Sequence, residues 1–519
     1  VERTYDVAVI GAGFGGLGAA LALAERGADV VLFEALSYPG GCASTFRRAR
    51  RRHEAGATLF SGFAPGQLFH RWIEAHRLPV RFVPLDPVLE LRAPGLRLPV
   101  PPDRERLVER LATLPGAPAE RVRAFFAEQR RVADELWALF DDPALLPPLD
   151  LGGVLRHLGR APRYLPLLRV VGRPLLDVLR RHGVAEYGPL RTYVDAVSQI
   201  TVQACAADAE APFALSTLDY PLRGTGHVHG GVGELATAMV DAVRRLGGTV
   251  RMPDRVRAVR PAPWGFSLAS REGTVRARQV VLDLIPRDAA ALCGVGLEDR
   301  PRLRALQREI DDAWSAAMLY LELDLDRESA EGVARGAQAA SRSPFHLQLV
   351  ADPGARLAEG NHVFVSVSGA DEPDRAPGGR RTATVSTHVP LATLRAVPEA
   401  ERGAYVASVQ ARMRDTLAAL APEVAQAVTA HMTASPRTFA RFTGRTEGAV
   451  GGAPRRVGLR AYFDMLAPPS LGPGLHLVGD SVGLGQSTLA TALTGTKLAD
   501  RLVGRAPSRN RGLVAAPAR

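Results

Sequence analysis

The chain opens on a short apolar run, residues 5–10 (YDVAVI), rich in β-branched side chains, which is the pattern of a strand buried on both faces in a parallel sheet. An alanine-rich stretch follows, with Leu17, Ala20, Leu21 and Ala24 at helical spacing and Gly27 where a helix would end. A second apolar run, residues 29–33, closes on Glu34. Strand, helix and strand are therefore predicted in immediate succession. Further on the pattern changes. Residues 88–92 and 96–100 flank Ala93-Pro94-Gly95 and predict a hairpin closed by a type II turn. Residues 103–114 and 121–140 predict amphipathic helices. Four strand-like runs at 316–323, 345–350, 362–368 and 382–388 predict a mostly antiparallel sheet of at least that many strands. Near the other end a strand at 475–478 runs into Gly479-Asp480-Ser481, and a helix is predicted from about residue 488 to 502.

The junction of the first strand and helix carries Gly11-Ala12-Gly13-Phe14-Gly15-Gly16, and Glu34 follows 18 residues after Gly16. In such a motif Gly11 permits the tight turn, Gly13 lets the backbone approach a pyrophosphate, and Gly16 allows close helix–strand contact. The helix N-terminus offers unpaired N–H groups and a positive dipole to phosphates. An acid at the end of the second strand accepts hydrogen bonds from ribose hydroxyls. Because the glycines sit between a strand and a helix and an acid follows, the segment predicts a dinucleotide site.

After Glu34 come Pro39-Gly40-Gly41-Cys42-Ala43-Ser44 and His53-Glu54-Ala55-Gly56-Ala57-Thr58, in place of the further strand–helix units of a plain NAD domain. With the Gly479-Asp480 strand end, this set resembles the FAD-dependent amine-oxidase-like flavoproteins, and within them the phytoene desaturase and carotenoid isomerase family. The resemblance is dense at residues 5–62, 220–259, 433–452 and 474–502. It implies a Rossmann-like FAD-binding domain, a parallel sheet with helices, joined to an α+β substrate domain with a mostly antiparallel sheet and a helical subregion. The expected division is 1–75, 221–290 and 453–505 for FAD binding and 76–220 with 291–452 for substrate. Residues 103–190 would be helical and in part membrane-facing, and 506–519 a disordered tail.

By that resemblance FAD would meet Gly11, Gly13, Phe14, Gly15, Gly16, Glu34, Ala35, Gly41, Cys42, Ala43, Ser44 and Thr58. Val256, on a strand expected over 248–259, would hold the adenine through its backbone, and Gly479, Asp480, Ser487, Thr488 and Leu489 would complete the site. Many relatives carry Arg after the double glycine. Here Cys42 stands there, which leaves phosphate neutralisation to Arg47 or Arg48, and covalent flavin attachment at Cys42 as an alternative. The family's chemistry implies desaturation of a long apolar isoprenoid, a carotenoid above all, with reoxidation by oxygen or a quinone. Redox-neutral cis/trans isomerisation or polyene saturation are alternatives on the same site, and a flavin amine oxidase or a non-enzymatic prenyl-binding protein are alternatives from other classes. For acid–base work the candidates are His227 and His229, in a Gly-His-Val-His-Gly-Gly segment.

Composition narrows this only at the edges. Apolar residues make up 46% and charged residues 23%, which excludes a disordered or fibrous chain. Three distant cysteines, Cys42, Cys205 and Cys293, exclude a disulfide framework and a zinc site. The net charge is +11, yet the arginines are dispersed and no nucleic-acid motif accompanies them, so nucleic acid is not expected. One segment, residues 151–182, is both leucine-rich and strongly basic, with Arg156, Arg160, Arg163, Arg169, Arg173, Arg180 and Arg181 against the single acid Asp177. It reads either as a helical wall or as a segment that lies on an anionic membrane. No run is long enough to span a bilayer, and the first strand begins too early to leave room for a signal peptide. The expected location is the cytoplasm, with peripheral attachment to the inner face of the membrane.

Overall fold

The computed structural model describes residues 3–56, 58–147, 149–326, 342–483 and 485–504; the tail expected at 506–519 lies outside them. The N-terminal strand Thr4–Ile10 is central to the first sheet, pairing in parallel with Val30–Phe33 on one side and Gly273–Leu282 on the other. Thr249–Arg251 extends one edge in parallel, and Leu475–Leu477 pairs in parallel with the end of Gly273–Leu282. Strands Val256–Ala262 and Gly265–Ser270 add an antiparallel extension. The sheet is thus mixed where a parallel one was expected. The run 248–259 divides into two strands, since Pro253 supplies no ladder donor and the chain turns there.

The two ends of the chain meet in one helix pair. Helix Phe14–Glu25 is buried from Phe14 to Ala24 and crosses the C-terminal helix Thr488–Val503. Backbones touch at the crossing: a Cβ on Gly495 would lie 2.3 Å from the Gly15 carbonyl oxygen, and one on Gly18 would lie 2.4 Å from that of Ala492. Only glycine permits this approach.

The second sheet runs in the order Val428–Ala434, Trp314–Leu323, Arg381–Pro390, His362–Val367, Phe345–Val350, Leu89–Ala93, Leu96–Val100. All neighbours are antiparallel except Phe345–Val350 with Leu89–Ala93. The hairpin at residues 89–100 is therefore part of this sheet, a long-range pairing no local pattern signals. Helix Arg402–Leu420 covers one face through Val409, Met413 and Leu417, which is why Trp314–Leu323 is buried along its whole length. Helices Ala119–Asp141, Leu175–Arg181, Gly188–Thr201 and Ala211–Thr217 form the helical subregion and share a core with the hairpin. Pro162, Pro166 and Pro174 break residues 151–182 into Leu151–Arg160, a single turn at Ala161–Tyr164, Leu165–Leu168 and Leu175–Arg181.

Candidate functional site

Helix Phe14–Glu25 starts at Gly13 with no side-chain cap and no acid in its first turn, so the amides of Phe14 and Gly15 are left for an external anion. The turn is crowded from behind. A Cβ on Gly15 would fall 2.7 Å from the Gly479 backbone, which ties the N-terminal motif to the Gly479-Asp480 strand end. Asp283, just past strand Gly273–Leu282, accepts a hydrogen bond from the Gly16 amide at 3.0 Å. Burial pushes its carboxyl up to about 7; the Gly16 amide and Arg445 oppose the shift, and the charges of Asp480 and Glu34 add to it.

Glu34 ends the second strand with Oε2 accepting from the Ala12 amide at 2.9 Å and Oε1 from the Leu36 amide at 2.8 Å. A carboxylate oxygen has room for more than one donor, so both can still take ribose hydroxyls. Burial raises the Glu34 carboxyl above its ordinary range, against the pull of the Leu36, Ala12 and Ala35 amides. Asp480 is held by Arg445 through two bonds, Nη1 to Oδ2 at 2.7 Å and Nη2 to Oδ1 at 2.9 Å. Arg445 lines the cavity, as do Arg255 and the buried Arg455, whereas Arg47 and Arg48, expected to neutralise phosphate, are exposed on a hairpin strand. Burial raises the Cys42 thiol, with Arg445 opposing the shift and Asp480 and Asp283 reinforcing it, which disfavours the thiolate a covalent attachment needs.

These groups border one cavity of about 530 Å³. Gly11, Gly13, Phe14, Gly15, Glu34, Ala35, Gly41, Cys42, Ala43, Thr58, Val256, Gly479, Asp480, Ser487 and Thr488 line it. Of the other residues expected there, Gly16 stands behind it on Asp283, and Ser44 and Leu489 are buried without lining it. The cavity continues beneath the second sheet, where Met318, Gln348, His362, Phe364, Ser386 and His388 face helical residues Leu136, Trp137, Phe140, Ile200 and Phe213. Asp283, Arg445 and the sheet residues were missed in the sequence. Asp283 had a signal in being, like Glu34, an acid closing an apolar strand. Arg445 had none.

His227 and His229, the candidates for acid and base, are not among the residues that line the cavity. His227 is buried with Nε2 2.8 Å from Glu372 Oε1. Glu372 also accepts from the Gly230 and Gly369 amides and pairs with Arg375, which reaches on to Glu54 at 3.1 Å. Burial works against ionisation of Glu372, but the His227 hydrogen bond and charge, Arg375 and the Gly369 amide together hold it well below the usual carboxylate range. His229 Nε2 lies 3.1 Å from the Asp371 carbonyl oxygen. Both histidines tie chain segments together.

The dinucleotide cradle, the amides of Phe14 and Gly15, the acid that follows the second strand and the cavity-lining Arg445 are the donor and acceptor set a flavin adenine dinucleotide requires, and the residues present fit it. Residues 9–74 match the model of the NAD(P)-binding Rossmann-like domain. Along nearly its full length the chain is similar to prolycopene isomerase 1 of an Oncidium hybrid cultivar, 23% identical over 510 residues covering 96% of this chain and 84% of the relative. It is 25% identical over 488 residues to the neurosporene-forming phytoene desaturase of Rhodobacter capsulatus, covering 91% and 88%. Among solved structures, putrescine oxidase superposes with a TM-score of 0.60 at 15% identity over 97% of this chain and all of the other. The fatty acid isomerase of P. acnes superposes with a TM-score of 0.60 at 10% identity, over 96% and 99%. The fold is that of the amine-oxidase-like flavoproteins.

Proposed function

We propose that this protein is an FAD-dependent oxidoreductase of the phytoene desaturase and carotenoid isomerase family that acts on C–C or C=C bonds of a long apolar isoprenoid, a carotenoid above all. The observation that carries this is the continuity of one cavity from the dinucleotide cradle at Gly13 and Glu34 to an apolar chamber between the second sheet and the helices. Full-length likeness to carotenoid desaturases and isomerases supports it. In this division residues 1–75, 221–290 and 453–505 bind the cofactor, and 76–220 with 291–452 enclose the substrate.

When bound, FAD supplies hydride acceptance and return at its ring. The chain's own work is to bind, orient and dry the substrate. Glu34 would take ribose hydroxyls, the Phe14 and Gly15 amides would meet phosphate, and Arg445 with Asp480 fixes the strand end beside them. Trp137, Phe140, Ile200 and Phe364 give the polyene an apolar wall and exclude water. Desaturation would need an acceptor for the electron pair removed, oxygen or a quinone. The second reading, redox-neutral isomerisation, is favoured by the prolycopene isomerase likeness.

Access for such a substrate is proposed from an anionic membrane. Leu151, Leu155 and Leu158 lie on one face of helix Leu151–Arg160 and are 77%, 58% and 65% exposed. Leu165 and Leu168 extend the patch at 60% and 72%. Phe463 and Leu466 are also exposed, on a helix whose Met465 shares a small cavity with Leu146 and Pro147 and also lines the main one. No helix of the described residues is long and apolar enough to cross a membrane, so attachment would be peripheral, on the cytoplasmic side.

Purified protein is expected to be yellow with flavin absorption bands; a colourless protein that refuses FAD on reconstitution would defeat the proposal and leave a binding-only role. Incubating a cis-polyene anaerobically with reduced protein then separates the two reactions. Isomerisation proceeds without an electron acceptor, while desaturation stops.

A further inference from the structure

Residues 47–52 read RRARRR, and the chain folds there into a two-stranded ribbon: strands Thr45–Arg48 and Arg51–Glu54 pair antiparallel through a turn at Ala49 and Arg50. Both turn residues take left-handed backbone, at φ 48° and 63°, a conformation that glycine or asparagine adopts at less cost. Arg50 in that place puts a charge at the apex. The register sets Arg47 opposite Arg52 and Arg48 opposite Arg51, two like-charge pairs directly across the ribbon, which destabilises it. Acids relieve only part of this. Arg51 pairs with Glu322, which Arg380 also holds at 2.7 Å, and Arg52 pairs with Glu234. The side chains of Arg47, Arg48 and Arg50 are exposed and have no ion-pair or hydrogen-bond partner among the described residues. The ribbon arginines and Arg380 thus share two carboxylates, Glu322 and Glu234.

Such an excess calls for an external anion, and the shape of the ribbon selects its kind. Successive strand residues point to opposite faces, so Arg47 and Arg48 cannot both reach one small anion. A bilayer would find no exposed large apolar side chain on the ribbon, and nucleic acid no exposed aromatic, since Phe46 is turned against Tyr320 at 5.1 Å between ring centres. An extended chain of carboxylates can run over the apex and meet both faces, each guanidinium fork taking a carboxylate. We propose that the ribbon at residues 45–54 is a docking site for an acidic peptide segment, rich in Asp and Glu, of a partner protein. Cys42 and Ala43 before the ribbon and Gly56 and Thr58 after it line the main cavity, so the strand Thr45–Arg48 puts the docked segment about 13 Å from the cavity wall. Docking depends on the charges of the ribbon alone and not on which reaction the cavity performs.

The test is fluorescence anisotropy of a labelled decaglutamate peptide titrated with the FAD-loaded, full-length protein at about 50 and about 200 mM salt. Binding is expected, and weaker at the higher salt. Exposed ion pairs are individually weak, so the unpaired arginines are changed together: Arg47→Gln with Arg48→Gln and Arg50→Gln should weaken binding at least about tenfold. The matched control, Arg163→Gln with Arg169→Gln and Arg173→Gln, removes the same charge from another exposed segment and should weaken it less than about threefold. Relief of the like-charge pairs should leave the ribbon variant melting no lower than the parent, with its flavin absorbance intact. Should that variant lose its flavin, Arg50→Gln alone carries the comparison, with about a twofold loss against none for Arg163→Gln. No binding of the peptide, equal losses in ribbon and control variants, or ribbon-dependent binding that is tighter for an oligonucleotide or for vesicles of anionic phospholipid than for the peptide overturns the docking site.

Discussion

Asp283 sits where single-residue chemistry has the largest consequence for the cofactor cradle. Its carboxyl is buried beneath Gly13, Gly15 and Gly479, takes the Gly16 amide, and is faced by Arg445, Asp480 and Glu34. In the unfolded chain it ionises near its ordinary value of about 4, whereas in the folded protein it holds its proton to about 7. Between these values the folded state binds more protons than the unfolded one, so this group's contribution to stability falls as pH rises from about 4 to about 7, and is constant above. Asp283→Asn keeps an acceptor for the Gly16 amide and removes the titration. The variant without added FAD is expected to match the parent at pH 4 and to exceed it at pH 8 by a few kcal/mol in urea unfolding. An unchanged difference across that range would show that the burial does not act as described. The residue scale also explains where the two candidate histidines sit. His227 and His229 looked reactive because histidine titrates near neutrality, but a Glu372–Arg375 network, contributed from far along the chain, claims His227. Nothing local to Gly226–Gly231 announces that partner.

At the scale of elements, the decisive contact is the crossing of the first and last helices. Gly495 brings the C-terminal helix onto the backbone at Gly15, inside the dinucleotide turn itself. Gly495→Val forces side-chain atoms into that backbone. The expected loss is about 1–3 kcal/mol or more, with flavin released on gel filtration, whereas Gly403→Ala, in a helix and with nothing near its Cβ, retains the cofactor. The helix Leu151–Arg160 makes the opposite kind of claim, an apolar face turned outward. Sedimentation with anionic liposomes at low salt is expected, and so is its loss after Arg→Glu changes at Arg163, Arg169 and Arg173 or after Leu155→Glu with Leu158→Glu. Protein that stays in the supernatant under every condition would show that the exposed leucines serve some other purpose. The hydrophobic pattern announced this helix's amphipathicity, but only the placement of neighbouring elements shows the leucines uncovered.

Across the whole molecule, the cofactor cradle draws on residues from Gly11 to Thr491, so FAD is expected to stabilise the chain as one unit. At a hundred to a thousand times its dissociation constant, FAD adds about 3–4 kcal/mol and raises Tm by about 2–4 °C, read by thermal unfolding with and without added FAD. No shift in a protein that binds flavin would mean that the unfolding step lies outside the bound region.

The strand–turn–helix of the cradle, its closing acid and the hairpin at residues 89–100 could be read from the chain because each depends on neighbours in sequence: period, turn chemistry, and the backbone freedom of glycine. So could the separation into a nucleotide sheet and an antiparallel one. The tertiary structure alone decided which distant groups meet, because side-chain identity says nothing about partners hundreds of residues away. Arg445 beside Asp480, Asp283 beneath the glycines, and Gln348 with His362 in the chamber wall are products of that meeting. Burial then sets their charge and leaves their hydrogen-bonding capacity open, and burial is a property of the folded chain.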